Sequence, residues 1–154
     1  MLRTIFKPVT AVIVLTAGVV GCASSPPEQF TRSDNDFTPC SSAPHCVSSQ
    51  AEKDSGHYVE PFAFAGTADG ARQALLKALY SHDNATVEQA DNRFIHATFR
   101  STLGFVDDAT FVVQPHDHII DVKSSSRIGY YDFGVNRRRV EDLRKRFKAE
   151  LAGA

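Results

Sequence analysis

The residues richest in chemical possibility run from Ser124 to Arg137, SSSRIGYYDFGVNR, with three hydroxyls, two glycines and two arginines. They join an apolar strand to an amphipathic helix. Asn136 reads as the N-cap of that helix, which would leave backbone N–H groups of the first turn open beside Ser124, Arg127 and Arg137. A helix N-terminus flanked by Arg and Ser is a physically reasonable anion site. The leading candidate is therefore an anion-accepting patch of Ser48, Ser124, Arg127, Asn136 and Arg137, taking a small anion or a lipid headgroup. Arg137, Arg138 and Arg139 strengthen the case, because three cations in a first turn oppose the helix dipole by about 0.3–1 kcal/mol each. A bound anion would offset that, and so would internal carboxylates at Asp107, Asp108 or Asp132. At 100° per residue Arg138 points away from the apolar stripe, while Arg137 and Arg139 flank it on opposite sides.

Other combinations are weaker. Cys46 with His57 or His96 could form a thiol nucleophile and base, or Asp108 could act as a base, giving an enzyme as the alternative reading. A reactive thiol needs a lowered pKa, for which the sequence supplies no signal. His116-Asp117-His118 lacks a third ligand at identifiable spacing and reads as a polar turn, so no metal is expected. Asp107 and Asp108 are adjacent on a strand and point to opposite faces. Asp132-Phe133-Gly134 matches a kinase triplet without the Gly-rich loop or catalytic loop that triplet requires. No catalytic set and no cofactor are expected.

These residues have to be positioned by elements that the periodicities reveal. Thr67 can cap a helix with Ala71, Ala74, Leu75, Ala78 and Leu79 on one stripe. Ala85–Ala90 and Arg93–Arg100 read as strands around Asp91-Asn92, the second with Ile95, Ala97 and Phe99 on one face. Val106–Gln114 and His118–Lys123 form a further hairpin around Pro115-His116-Asp117. Tyr58–Phe64 is β-prone, but Pro61 limits it to an edge. The last helix runs from about Asn136 to Leu151, with Val140, Leu143, Phe147 and Leu151 aligned. The order predicts an α+β fold: one two-layer sandwich over residues 38–152, with a mainly antiparallel four- or five-stranded sheet and two helices on one face.

The N-terminus reads as an address. Arg3 and Lys7 precede an uncharged run from Val9 to Val20, too short for the ~20 apolar residues of a spanning helix, and suited to a secretory signal over residues 1–21. Val19-Val20-Gly21-Cys22 resembles a bacterial lipobox, which implies acylation of Cys22. Ala23 after it favours the outer membrane by resemblance to the sorting rule. Residues 22–37, with two adjacent prolines and no apolar period, read as a tether. An acylated Cys22 leaves Cys40 and Cys46 in an oxidising compartment, where a structural disulfide is the default.

Composition agrees with a single globular domain. The 154 residues are 42% hydrophobic and 23% charged, which excludes full disorder, and three cysteines are too few for a disulfide scaffold. The formal net charge of −1 is unevenly spread. Residues 22–122 carry six basic and 14 acidic side chains, and residues 123–154 carry nine and four. A basic C-terminal segment fits anionic lipid or phosphate, or a solvated helix; secretion argues against nucleic acid.

Four blocks in order carry a family likeness: Cys40 to Gln50 (CSSAPHCVSSQ), Asp91 to Ala97 (DNRFIHA), Phe105 to Asp108 (FVDD) and Ser124 to Arg139. Together they resemble domain-of-unknown-function family 1499 over roughly residues 38–148. His45 departs from the family pattern, which more often has Asn there. The resemblance implies a small envelope- or organelle-associated domain and no established reaction. The combined expectation is a periplasm-facing outer-membrane lipoprotein, most simply a non-enzymatic binding or accessory module with an unidentified envelope partner. The alternatives are the small envelope enzyme above and a purely structural envelope protein whose polar motifs hold the loop and last helix in place.

Overall fold

The computed structural model describes residues 36–153; the expected signal, Cys22 and nearly all of the tether lie outside them. The chain order is β1 (Cys46–Ser48), β2 (Phe62–Ala63), α1 (Ala68–Tyr80), β3 (Ala85–Ala90), β4 (Phe94–Arg100), β5 (Val106–Gln114), β6 (Ile119–Ser126) and α2 (Val135–Ala152). All strands pair antiparallel, in the order β1-β6-β5-β4-β3, and β2 pairs the far end of β6. The α+β sandwich is as expected. The strand count is six rather than four or five, because two short pieces share one edge of β6. Cys46 to Ser48 pairs residues 123–125, and Phe62-Ala63 pairs residues 119–120. Pro61 cuts β2 to two residues, as its missing N–H requires.

Side-chain alternation assigns the two sheet faces. Ile95, Ala97 and Phe99 of β4, Ala109, Phe111 and Val113 of β5, and Ile120 and Val122 of β6 join one core with both helices. From α1 come Ala71, Ala74, Leu75, Ala78 and Leu79; from α2 come Val140, Leu143 and Phe147. Phe62 fills the seam between the layers, its ring centroid 5.5 Å from Phe147 and 6.0 Å from Phe111. Thr67 caps α1 through a bond from the Gly70 amide. Each strand residue between the core positions therefore turns to the helix-free face.

The start of α2 differs from the sequence expectation. Gly134, at φ 74°, is the N-cap, and Asn136 is already the second helical residue. Phe133 also has positive φ, 54°, so two consecutive left-handed residues reverse the chain, and the second needs glycine. Asp132 then supplies the capping carboxylate, accepting from the amides of Gly134 at 2.8 Å and Asn136 at 2.9 Å. Asn136 is thereby released from capping, and its side chain turns inward.

Candidate functional site

Asn136 is fully buried and forms the hub between β6, α2 and the chain before β1. Its Nδ2 donates to the His45 carbonyl at 3.0 Å, Ser126 Oγ at 3.0 Å and Asp132 Oδ2 at 2.9 Å. Its Oδ1 accepts from Ser124 Oγ and Arg139 Nη1, each at 2.6 Å. Arg139 also pairs with Asp107 and lies 4.6 Å over the Phe99 ring. For Asp132, burial alone would raise the carboxyl, and the bonds from Asn136 and Gly134 outweigh it, holding the group below its ordinary range. The helix N-terminus that an external anion would neutralise already faces an internal carboxylate.

A second cluster lies on the helix-free face. Asp108 is 0% exposed and is held by Arg127 through Nε at 2.7 Å and Nη2 at 2.8 Å. His96 Nε2 lies 2.8 Å from the Asp108 Oδ1 atom. Burial would raise this carboxyl too; the hydrogen bonds from Arg127 and His96 override it and keep it low. Next along the same face, Thr110 lies between His96 on β4 and Lys123 on β6. Lys123 is fully buried, which pushes its amine down to about 8, and its Nζ donates to the Thr38 carbonyl at 2.6 Å. Thr110 Oγ1 is buried without a hydrogen-bond partner among the described residues. The segment 37–40 is fastened to this region by Lys123, by the Phe37 amide on Gln50 Oε1 and by a Cys40–Cys46 disulfide.

The five residues of the expected anion patch have different fates. Ser124 and Asn136 meet inside the hub. Ser48 pairs across from Lys123 on the other side of the sheet, is buried, and accepts the Gln50 amide at 3.1 Å. Arg127 grips Asp108. Arg137 lies outside, donating to the carbonyls of Tyr58 at 2.7 Å and Gly56 at 2.8 Å. The geometry thus brings two of the five together and disperses the other three.

The remaining arginines of α2 follow one pattern. Arg144 donates to the Pro61 carbonyl, Arg146 to that of Ser81 and Arg138 to that of Phe133. They bind connections whose carbonyls lack strand partners, which accounts for the basic character of the C-terminal segment from within the fold. Arg137 and Arg139 leave α2 on opposite sides, as the helical angle requires, and Asp107 and Asp108 serve opposite faces of β5.

For chemistry, the thiol of Cys46 is engaged in the disulfide, and His57 Nδ1 lies 2.9 Å from the Cys46 carbonyl oxygen. A cleft of about 680 Å³ opens between residues 36–40 and 48–57, with Asp36, Glu52, His57 and Asp121 on its walls. Asp121 is occupied there by Ser49 Oγ at 2.7 Å and Gln50 Nε2 at 3.1 Å. Among the described residues, no group of three or more His, Cys, Asp or Glu could hold a metal ion, and no helix is long and apolar enough to cross a membrane.

Sequence reasoning missed Arg139 and Lys123 as buried elements. Arg139 stood on the helix flank but carried no local sign of its partner. Lys123 had a signal: Asp121, Lys123 and Ser125 alternate with apolar or hub residues on β6, opposite Val112, Thr110 and Asp108. No curated protein and no solved structure matches the chain. The conserved-domain comparison does match, over residues 36–147, with a family described as protein of unknown function, DUF1499. That span holds both polar clusters and nearly the whole described body, and the chain belongs to the DUF1499 family.

Proposed function

We propose that this protein is a lipoprotein of the bacterial outer membrane, acylated at Cys22 and facing the periplasm, whose domain is a non-enzymatic binding or accessory module of the envelope. The observation that carries this reading is the Cys40–Cys46 disulfide. Disulfides persist in oxidising compartments, and this one removes the thiol that nucleophilic chemistry would use. It also leaves Cys22 as the one cysteine of the sequence outside that bond, directly after Val19-Val20-Gly21. Asp108, the alternative base, has both oxygens bonded and its proton affinity lowered, the opposite of what general-base work at neutral pH calls for. In this reading the polar loop before α2 is a fastener. An anion seated by Arg127 and the α2 N-terminus would have to displace Asp108 and Asp132.

Metabolic labelling with a palmitate analogue in a bacterial host, followed by membrane fractionation, tests the proposal. The expected result is a labelled outer-membrane protein whose Cys22→Ser variant is unlabelled. An unlabelled wild-type protein in the cytoplasm, with free thiols at Cys40 and Cys46, would overturn it.

A further inference from the structure

Eight large hydrophobic side chains are exposed among the described residues, and seven lie in or directly beside two connections: Leu103 and Phe105, then Ile128, Tyr130, Tyr131, Phe133 and the first residue of α2, Val135. Leu103 is 82% exposed, Phe133 76% and Tyr130 72%. The two connections leave the same end of the sheet. Residues 101–105 join the paired ends Arg100 and Val106, and residues 127–134 follow Ser126, which pairs Asp107. The Arg127 amide donates to the Val106 carbonyl at 3.2 Å, fixing the two bases side by side. Tyr131 and Phe133 pack edge to face at 5.0 Å, so part of the apolar surface is pre-formed.

Three basic side chains flank these loops. Arg100, Arg137 and Arg138 are exposed, and the bonds found for them go to carbonyl oxygens of Gly104, of Gly56 and Tyr58, and of Phe133. Carbonyls orient a guanidinium without neutralising it. The carboxylates at the bases of these loops, Asp107, Asp108 and Asp132, are committed to Arg139, to Arg127 and His96, and to the α2 N-terminus.

We infer that loops 101–105 and 128–135 form a membrane-contacting surface that seats on an anionic lipid bilayer. Tyr and Phe enter the headgroup boundary while Arg100, Arg137 and Arg138 meet lipid phosphates. Aromatic rings with a polar end are suited to that boundary, and binding strength grows with apolar area and basic charge together. A protein partner would be met by the same rings, but the flanking arginines, whose bonds found here go to carbonyls, match a phosphate plane. The inference rests on the anchored-lipoprotein reading, which keeps a bilayer within reach, and assigns the domain a fixed orientation on it.

The test separates the two. The mature chain from residue 22 with Cys22→Ser, which keeps every described residue and carries no lipid, is sedimented with vesicles of phosphatidylethanolamine and phosphatidylglycerol, and with vesicles of phosphatidylcholine. Preferential binding to the anionic vesicles is expected, weakened at high salt. Tyr131→Ser combined with Phe133→Ser should reduce it at least tenfold with an unchanged melting temperature, and Arg138→Ala about fivefold. Equal association with both vesicle types, or binding indifferent to the Tyr131/Phe133 substitutions, would overturn the inference. So would concentration-dependent dimerisation abolished by the same substitutions without vesicle binding. Palmitate labelling of wild-type protein reports on the anchor independently.

Discussion

Arg127 closes on Asp108 in a two-pronged ion pair, with Nε 2.7 Å from Oδ2 and Nη2 2.8 Å from Oδ1. The pair joins the residue following β6 to the helix-free face of β5 near the start of that strand. It therefore fixes where the β6–α2 connection leaves the sheet. Planar guanidinium against planar carboxylate is the strong form of such a contact. With Asp108 fully buried, its value lies less in net attraction than in the charge that would be stranded without it.

Arg127→Ala should accordingly destabilise the domain by about 3–5 kcal/mol at neutral pH, as expected when one partner of a buried pair is removed. Arg138→Ala, which loses an exposed bond to the Phe133 carbonyl, should stay within about 0.5 kcal/mol. Urea unfolding of the three proteins measures both differences. Similar midpoints for the two variants would show that the Asp108 contact does not hold this junction.

Asn136 gives a second, independent expectation. Its side chain serves acceptors from His45, Ser126 and Asp132 and donors from Ser124 and Arg139. Asn136→Ala leaves several of these buried groups unpaired, at about 1–3 kcal/mol for each that water cannot reach. A loss of at least about 3 kcal/mol is expected, and Asn136→Asp should not restore it, because two Nδ2 protons are replaced by an acceptor facing the Asp132 carboxylate. Wild-type-like unfolding of Asn136→Asp would refute the hub.

Local pattern made most of the fold legible and hid most of the polar site. Ile95, Ala97 and Phe99 alternate cleanly, the Thr67 stripe has helical spacing, and Pro115-His116-Asp117 interrupts two apolar runs, so β4, α1 and the β5–β6 hairpin follow from neighbours in sequence. Cys46–Ser48 is only three residues long and gains its strand character from β6, nearly eighty residues away. Asn136 stands where a cap belongs by sequence, yet the left-handed Phe133 and Gly134 shift the cap earlier and let Asp132 take its place. Whether Arg127 meets an open ligand or Asp108 depends on the β5–β6 register, which no local signal sets. The exposed rings of residues 128–135 were visible as residue types, but their exposure is a property of the assembled end of the sheet.

Acid should act through Asp132 and Asp108. Both carboxyls are held below their ordinary values in the folded protein, so their contribution is present above the unfolded pKa of about 4 and disappears as pH falls below it. Asp132→Ala should lose about 1–2 kcal/mol at pH 7, the scale of a lost cap. It should also show a shallower decline in stability between pH 4 and pH 2 than wild type. Parallel pH profiles for the two proteins would contradict the assignment of Asp132 as cap.

The Cys40–Cys46 bond closes a loop of sequence separation six, and chain entropy puts its stabilisation at about 2–2.5 kcal/mol. Mature protein denatured without reductant should react with a maleimide at neither position, and a reductant should expose two thiols. Cys40→Ala combined with Cys46→Ala should lower stability by that amount while leaving the 46–48 strand on β6, because Val47 is anchored in the core. Two reactive thiols before reduction would return Cys46 to consideration as a nucleophile.

Lys123 sets a further dependence on the alkaline side, where stability again rises with pH. Burial pushes its amine down to about 8, whereas the unfolded chain keeps an ordinary value near 10.4. Below about pH 8 both states carry the proton, and the folded state bears the full penalty of a buried ammonium. Between about 8 and 10.4 the unfolded state holds more protons, so stability rises with pH, by up to about 3 kcal/mol over the window. Lys123→Met removes this group and its bond to the Thr38 carbonyl, and other titrations largely cancel when the two proteins are compared. The stability of wild type relative to Lys123→Met should therefore improve by about 1–3 kcal/mol between pH 7.5 and pH 9.5, read from urea midpoints. A difference constant across that range would mean that Lys123 titrates in the folded protein as it does in water, and that its burial against Thr38 does not persist in solution.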